Sequence, residues 1–371
     1  MKVPFLDLHA QYDPIIDDIR EAIEQVIQTH QYIMGPQVEQ LEAAIADYCG
    51  CRYAVGCSSG TDALLLALSA HDIGKGDEVI TTSFTFFATA STIYRVGAKP
   101  VFVDIDPRTF NISPAEIEKA ITPKTKAIIA VHLFGQPADM DSIMKIAKKH
   151  DLIVIEDNAQ GIGAKYGDKY AGTIGDVGTL SFFPAKNLGA MGDAGMCLTN
   201  NEELAGKLKL LRVHGENPKY YHNWVGFNSR LDTLQAAILL VKLKHLDRWN
   251  KMRQENAAYY NEHLADIEEI ELPYVKPGIT PIYNQYTLLA EDRDALLEYL
   301  RAKDIGCAVY YPQPLHLQPC FALLNYKAGD LPVCEEISAR VISIPIYSEL
   351  SQAQLDYVIA EIRSFYQKER T

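Results

Sequence analysis

From about residue 36 to residue 212 the chain alternates between short apolar runs and amphipathic segments. The runs at 127–131 and 152–155 are apolar without alternation, which is typical of strands buried on both faces of a sheet. The segments between such runs carry apolar residues at helical spacing, and Pro36 is a favourable first residue for a helix that continues to Tyr48. The alternation predicts an α/β fold around a mostly parallel sheet of seven strands.

Individual elements follow from the same pattern. Strands are expected near residues 52–56, 78–82, 99–103, 126–132, 152–156, 177–183 and 195–199. Between and after them, helices are expected near residues 61–71, 87–96, 114–121, 139–150 and 201–212.

After about residue 230 the pattern changes, which predicts a second, smaller α/β domain. We place the large domain at residues 1–249 and the small C-terminal domain at 250–371. A long helical stretch runs from Leu231 to about His263. The elements expected beyond it are strands at 282–290 and 306–310, a proline-rich connection at 311–316, and helices near 293–303, 333–341 and 351–366.

Charge and composition exclude several classes of function. The net charge of −13 argues against binding to nucleic acid or to anionic membranes. No run of about 18 apolar residues is present, so no membrane span is expected. The N-terminus lacks the apolar core of a signal peptide, which predicts a cytoplasmic location. Seven dispersed cysteines without metal-type spacing indicate reduced thiols and no metal site.

Three polar motifs come directly after predicted strands, where ligands collect in open α/β sheets. The first is Gly56–Asp62, which opens a helix. Its backbone N–H groups, the Ser59 and Thr61 hydroxyls and the helix dipole are suited to a phosphate group. A helix N-cap with a tight turn explains the same residues equally well.

The second motif places Asp157 at the end of an apolar strand. Burial of a carboxylate there costs several kcal/mol unless a cation or a hydrogen-bond donor compensates. A protonated pyridine ring would supply that cation. An aspartate that caps a helix is the alternative.

The third motif is a turn rich in proline and glycine that carries Lys186 between two apolar runs. A lysine held in a partly desolvated turn loses its proton more easily and can attack a carbonyl carbon. Ser181 lies five residues earlier and can donate to a phosphate. A solvated loop lysine is the alternative.

A phosphate turn, an acid after a central strand and a lysine turn are together the working parts of a pyridoxal phosphate site. With these parts the chain resembles the sugar aminotransferases of the DegT/DnrJ/EryC1/StrS family, which have the aspartate-aminotransferase-like fold (fold type I). The similarity extends over nearly the whole chain. It is carried by the lysine turn and by residues 4–8, 32–36, 59–64, 76–80, 84–89, 97–101, 156–160 and 228–237.

The resemblance implies a role for each residue that matches the family. Lys186 would bond the cofactor covalently, and Asp157 would pair with its pyridine nitrogen. The other residues expected at the cofactor are Gln160 at the ring hydroxyl, Phe86 stacked on the ring, and Ser59, Gly60, Thr61 and Ser181 at the phosphate. Family members are dimers with composite sites, so Asn228 would reach the phosphate of the neighbouring subunit.

For the substrate, the resemblance implies that Arg230 binds an anionic group and that Tyr310, Tyr311 and His316 line the sugar pocket. A surface ion pair is the alternative for Arg230, and a proline-rich turn for the other three. The chain departs from the family at Asn158, usually a small residue, and at Ala194, usually glycine. We expect changed packing there without loss of the chemistry.

The implied activity is transfer of an amino group from L-glutamate to a keto group, at carbon 3, of a nucleotide-linked sugar. The lysine turn and residues 224–239 look most like enzymes that act on a UDP-linked 2-acetamido-3-keto uronic acid for surface polysaccharide. A dTDP-linked 3-keto-6-deoxyhexose is the runner-up, and a cyclitol or aminobenzoate precursor is a third substrate class. A regulator that binds the cofactor without catalysis is the alternative from another class.

Overall fold

The computed structural model describes residues 1–369 of the chain. Its strands are β1 (Tyr53–Cys57), β2 (Glu78–Thr82), β3 (Lys99–Val103), β4 (Thr125–Val131), β5 (Ile153–Asp157), β6 (Lys165–Tyr166), β7 (Lys169–Tyr170), β8 (Val177–Ser181), β9 (Gly195–Thr199), β10 (Ile270–Glu271), β11 (Ile279–Thr280), β12 (Tyr286–Ala290) and β13 (Val341–Ile344).

The described chain also has thirteen α-helices and four short 3₁₀ helices. The α-helices are α1 (Leu8–Tyr12), α2 (Ile16–Thr29), α3 (Pro36–Cys49), α4 (Gly60–Ala70), α5 (Phe87–Arg95), α6 (Pro114–Ala120), α7 (Met140–His150), α8 (Glu202–Leu211), α9 (Thr233–Leu243), α10 (Leu246–Leu264), α11 (Arg293–Ala302), α12 (Pro332–Arg340) and α13 (Gln352–Glu369).

A seven-stranded sheet organises the large domain in the order β1-β9-β8-β5-β4-β2-β3. Strands β8, β5, β4, β2 and β3 pair in parallel, whereas β9 is antiparallel to both of its neighbours. Residues 127–131 of β4 and 154–157 of β5 are all buried, as the apolar runs without alternation predict. The predicted α/β fold with a mostly parallel seven-stranded sheet is confirmed.

A smaller three-stranded sheet, β10-β12-β13, is antiparallel and shares a hydrophobic cluster with residues of α10, α11 and α13. Val3 belongs to that cluster and forms an isolated parallel bridge with Ile305. The first residues therefore pack with C-terminal elements and not with the large sheet, although they were assigned to domain 1–249. The boundary at residue 250 falls within α10, and the division at that residue stays a prediction.

Two expectations about the C-terminal half are wrong in detail. The stretch expected as one helix from Leu231 to His263 is two helices, α9 and α10, separated at Lys244 and His245. The strand expected at 306–310 is absent from the described chain, where Ala308 makes an isolated bridge with Ser343. The apolar periodicity continues across residues 244–245, so the pattern does not reveal where one helix ends and the next begins.

Two remaining expectations concern thiols and membranes. All seven cysteines are free thiols, and five of them are buried, as expected for small apolar side chains. Among the described helices, none combines the length and the apolar composition that crossing a bilayer requires.

Candidate active site

A cavity of about 460 Å³ lies at the edge of the large sheet where β5 and β8 end. Carboxyl ends of parallel strands meet at one edge, so polar residues that follow different strands converge there. Ten residues predicted for the site line this cavity: Ser59, Gly60, Thr61, Phe86, Asp157, Gln160, Ser181, Lys186, Tyr310 and Tyr311.

Lys186 lies in a tight turn that follows β8. Its backbone N–H donates to the Phe183 carbonyl oxygen at 2.8 Å. A β-carbon added at Gly189 would lie 2.3 Å from the Pro184 carbonyl oxygen, so the turn closes only with glycine at that position. Burial lowers the pKa of the Lys186 amine to about 8, and the nearby Asp157 carboxylate opposes that shift. At pH 7 roughly one tenth of the amine is therefore unprotonated and nucleophilic, far more than for an ordinary lysine.

Asp157 is the last residue of β5 and is buried, with 5% of its surface exposed. Its Oδ2 accepts a hydrogen bond from Thr89 Oγ1 at 2.8 Å, and its Oδ1 accepts one from the Ala159 N–H at 3.3 Å. Burial raises the pKa of this carboxyl, whereas the Thr89 hydroxyl and Lys186 act against the rise. A cation bound in the cavity beside Asp157 would favour the ionised form.

The phosphate turn is built where α4 begins. Ser59 caps the helix, its hydroxyl accepting a hydrogen bond from the Asp62 N–H at 3.1 Å. A β-carbon on Gly60 would lie 2.7 Å from Ser181 Cβ, so glycine lets the end of β8 approach the start of the helix. The result is a cavity wall of backbone N–H groups and hydroxyls at the positive end of a helix, which suits a phosphate.

Gln160 and Tyr311 form a polar pair on another part of the cavity wall. Gln160 Oε1 accepts a hydrogen bond from the Phe134 N–H at 2.7 Å, which fixes the orientation of the amide. The Gln160 side chain faces the Tyr311 hydroxyl and acts against the rise in the pKa of Tyr311 that burial causes. Phe86, the residue before α5, lines the cavity and is 59% exposed, so its aromatic ring is available for stacking.

His316 does not line the cavity within this chain, and its expected contact with the sugar stays a prediction. The side chain is 1% exposed, with Nδ1 at 2.7 Å from Ser83 Oγ and Nε2 at 3.1 Å from Glu335 Oε1. Both ring nitrogens are therefore hydrogen-bonded to residues of the same chain. His316 attaches the segment that carries Tyr310 and Tyr311 to the end of β2.

Arg230 and Asn228 also lie outside the cavity wall. Arg230 makes an isolated antiparallel bridge with Cys57 at the end of β1, and its buried Nε has no hydrogen-bond partner. Asn228 is exposed and bridges Val213. Their predicted contacts with substrate and with the neighbouring subunit are not made within this chain and stay predictions.

Sequence reasoning missed several residues that shape the site. Thr89 reaches Asp157 from α5, and Asp193, Asn284 and Gln285 line the cavity. Thr89 is part of the 84–89 stretch that resembles the family, so a signal for it was present. Asn284 and Gln285 come from the segment before β12, more than 90 residues beyond the lysine turn, and no local pattern marks them.

The two residues at which the chain departs from the family are both buried, and a change of packing around them stays a prediction. Asn158 is 1% exposed, and its Nδ2 donates to the Ala171 carbonyl oxygen at 2.7 Å. Ala194 is 1% exposed, and its carbonyl oxygen accepts a hydrogen bond from the Phe182 N–H at 2.8 Å. Neither residue is on the cavity wall. Within residues 1–369, no three His, Cys, Asp or Glu side chains are arranged to hold a metal ion.

Comparison with known proteins supplies the class of protein. The profile of the DegT/DnrJ/EryC1/StrS aminotransferase family matches residues 14–363. The chain belongs to this family. A relative from Geobacillus stearothermophilus, named a pleiotropic regulatory protein, is 52% identical over 99% of each chain. Another, from Acidithiobacillus ferrooxidans, is named a UDP-N-acetyl-3-dehydro-alpha-D-glucosamine 3-aminotransferase and is 46% identical over 97% of each chain.

Solved structures of family members have the same fold. DesV from S. venezuelae, solved in complex with a ketimine intermediate, matches with a TM-score of 0.96 and 42% identity over 98% of each chain. NtdA from Bacillus subtilis, solved with bound cofactor PMP, matches with a TM-score of 0.91 and 37% identity over 98% of this chain and 85% of that one. The fold is therefore that of the fold type I aminotransferases.

The protein is a pyridoxal phosphate-dependent aminotransferase. Its cavity is suited to this cofactor in three respects: a phosphate turn at the start of α4, a lysine whose amine is partly unprotonated, and a buried carboxyl without a full cationic partner. Sequence-based expectations of the family, the fold and the cofactor are confirmed.

Proposed function

We propose that the enzyme transfers an amino group from L-glutamate to carbon 3 of a UDP-linked 2-acetamido-3-keto sugar, with the 6-carboxylate (uronic acid) form as the preferred substrate. The observation that carries the proposal is Lys186, an amine with a pKa of about 8 in a cavity shared with the buried Asp157. The product would be a 3-amino sugar nucleotide for surface polysaccharide.

Lys186 is the proton carrier of this mechanism. When bound, pyridoxal phosphate supplies an electron sink that stabilises negative charge on the carbon next to the amino nitrogen. Lys186 would hold the cofactor in the resting enzyme. Once released, its amine would take a proton from the α-carbon of the amino donor and later give one back, which requires an amine that gains and loses protons near neutral pH.

The other cavity residues orient the cofactor and set its charge. Asp157, as a carboxylate, would keep the pyridine nitrogen protonated, and the Gln160 amide would contact the ring hydroxyl. Ser59, Gly60, Thr61 and Ser181 would hold the phosphate, with Phe86 against the ring face. 2-Oxoglutarate leaves after the first half-reaction, and the sugar ketone receives the amino group in the second.

The proposed enzyme is a homodimer with composite sites. Asn228 is exposed and lies outside its own chain's cavity, which supports a contact with the neighbouring subunit's phosphate group. Lys186 is the only Lys or Arg on the cavity wall within the described chain, although glutamate and a nucleotide sugar are both anions. Cations from outside this wall, Arg230 among them, would bind those anions.

Arg230 is proposed to distinguish between sugars. Its guanidinium would pair with a 6-carboxylate in a bidentate way, whereas a 6-hydroxyl or a 6-deoxy group offers no such partner. The Acidithiobacillus relative is named for a substrate without that carboxylate, which makes the choice at carbon 6 testable within one panel of sugars.

The experiment is an absorbance spectrum of the holoenzyme before and after L-glutamate, followed by a panel of keto sugar nucleotides. The band of lysine-bound cofactor should convert to the pyridoxamine form with glutamate and be absent in Lys186→Ala. Recovery of the original band should be fastest with UDP-2-acetamido-3-keto uronic acid, and Arg230→Lys should slow it. A panel in which a dTDP-linked 3-keto-6-deoxyhexose restores the band fastest would overturn the choice of sugar.

A regulator that binds the cofactor without catalysis is the second candidate, because the 52% identical relative is named a regulatory protein. Proton transfer by Lys186 has no purpose in such a protein. A band that saturating glutamate leaves unchanged in the fully loaded protein would favour the regulator and would count against the aminotransferase.

A further inference from the structure

Two threonine hydroxyls form a chain behind Asp157. Thr85 Oγ1 lies 3.0 Å from Thr89 Oγ1, and Thr89 Oγ1 lies 2.8 Å from Asp157 Oδ2. Thr85 is 2% exposed and Thr89 is 0% exposed. Because both side chains are buried, these hydroxyls take their hydrogen bonds from one another and from the carboxylate.

The direction of the two hydrogen bonds follows from which of the three groups can donate a proton. An ionised carboxylate only accepts, so Thr89 donates its single hydroxyl proton to Asp157. Thr89 Oγ1 can then only accept from Thr85, which makes Thr85 the outer donor. Two aligned hydroxyl dipoles therefore end on Oδ2, and each strengthens the other in surroundings of low dielectric constant.

Few other groups favour the charged form of Asp157. Burial raises the pKa of Asp157. The titratable groups that face its carboxylate are Lys186, His132 and the Tyr311 hydroxyl, and of these Lys186 and His132 lower that pKa. The Thr89 hydroxyl lowers that pKa more than either of them, and the Ala159 N–H adds a longer contact of 3.3 Å.

We infer that Thr89, supported by Thr85, is a positioning residue that holds the Asp157 carboxylate ionised and in one orientation at the cofactor site. This rests on the proposed role of Asp157. Thr85 lies on the cavity wall, and Phe86 follows it directly, so one short segment at the start of α5 orients both the carboxylate and the aromatic ring.

The test measures the affinity of apoenzyme for pyridoxal phosphate between about pH 5 and pH 9, by absorbance. Thr89→Val removes the hydroxyl and keeps the side-chain volume. At neutral pH we expect affinity about tenfold weaker or more, since a hydrogen bond to a charged group is lost. Affinity falls as Asp157 becomes protonated. Without Thr89 its pKa is higher, so the fall should begin at a higher pH than in wild type.

Three variants complete the design. Thr89→Ser keeps the hydroxyl and should retain the wild-type pH profile. Thr85→Val should shift the profile in the same direction as Thr89→Val, by less. Asp157→Asn should remove the pH dependence due to this group.

Each outcome decides a separate point. A Thr89→Val profile that superimposes on wild type would overturn the inference, as would equal defects in Thr89→Val and Thr89→Ser, which would assign the effect to packing. If Thr89→Val does not fold, an unshifted Thr85→Val profile would overturn the inference. An Asp157→Asn profile identical to wild type would instead disprove the proposed role of Asp157.

Discussion

At the scale of single residues, the site depends on two buried groups of opposite charge whose attraction does not outweigh the cost of their burial. Asp157 favours the charged form of Lys186, and Lys186 favours the charged form of Asp157. Even so, the pKa of the lysine is lowered and that of the aspartate is raised, because desolvation is the largest effect on each. Lys186 is thus able to gain and lose a proton during a reaction near neutral pH.

The lowered pKa of Lys186 predicts how fast apoenzyme takes up its cofactor at different pH values. The rate at which the lysine-bound band appears should rise with pH and reach half its maximum near pH 8, since only the unprotonated amine reacts. Asp157→Asn should move the midpoint to lower pH, because the carboxylate stabilises the ammonium form.

Stopped-flow absorbance after mixing apoenzyme with pyridoxal phosphate measures this midpoint. Lys186→Ala is the control and should give no band. A midpoint near 10.5, the ordinary value for lysine, would show that burial does not alter this amine.

At the scale of elements, the phosphate turn exists because three elements approach one another through glycines. Gly60 lets the start of α4 contact the end of β8, and a β-carbon at Gly195, in β9, would lie 2.3 Å from the Ser59 carbonyl carbon. Such a distance is far below van der Waals contact, so the backbone itself would have to move. The helix N-terminus is therefore positioned by its neighbours as much as by its own cap.

Gly195→Ala should accordingly displace the start of α4. We expect unfolding free energy to fall by about 1–3 kcal/mol and affinity for pyridoxal phosphate to fall with it. Gly206→Ala is the matched control, because Gly206 lies within α8 with open space around it. That variant should be stabilised by about 0.5–1 kcal/mol, since alanine favours helix.

Urea denaturation and cofactor titration of both variants provide the measurement. Equal behaviour of Gly195→Ala and Gly206→Ala would contradict the close approach of β9 to the phosphate turn.

At the scale of the whole molecule, three buried asparagines join the lysine turn to the C-terminal elements. Asn187 Nδ2 donates to Asn250 Oδ1 at 2.7 Å and to the Ile282 carbonyl oxygen at 3.1 Å. Asn284 Nδ2 donates to Asn187 Oδ1 at 2.9 Å. Asn250 belongs to α10, and Asn284 lies on the cavity wall. Asn187, the neighbour of Lys186, is thereby joined to both the helix and the segment before β12.

Asn187→Ala should lower the unfolding free energy by about 1–3 kcal/mol, because it leaves buried amide groups without partners. In a double-mutant cycle, Asn187→Ala and Asn284→Ala should couple by about 0.5–3 kcal/mol. The exposed Asn223→Ala should change stability by less than about 0.5 kcal/mol. Additive effects of the Asn187 and Asn284 substitutions in urea denaturation would disprove the network.

Local pattern was enough for most of the fold because it reflects burial. An unbroken apolar run such as 127–131 is explained only by a strand covered on both faces, and β4 is such a strand. Lys186, Asp157 and Ser59 were predictable together because each follows a strand, and strand ends meet at one edge of a parallel sheet. These features depend on near neighbours and on one general rule of sheet geometry.

Other features depend on contacts between distant parts of the chain, and only the tertiary structure decided them. Ser83 and His316, 233 residues apart, use each other's hydrogen-bonding groups, which removes His316 from the cavity. The Thr89 hydroxyl contacts the site because folding places it beside Asp157, which comes 68 residues later in the sequence. The sequence by itself therefore determined the sheet and the cofactor, and it predicted Lys186 as the reacting lysine. Folding decided which polar side chains reach the cavity, because a buried donor or acceptor takes whichever partner the packing brings within reach.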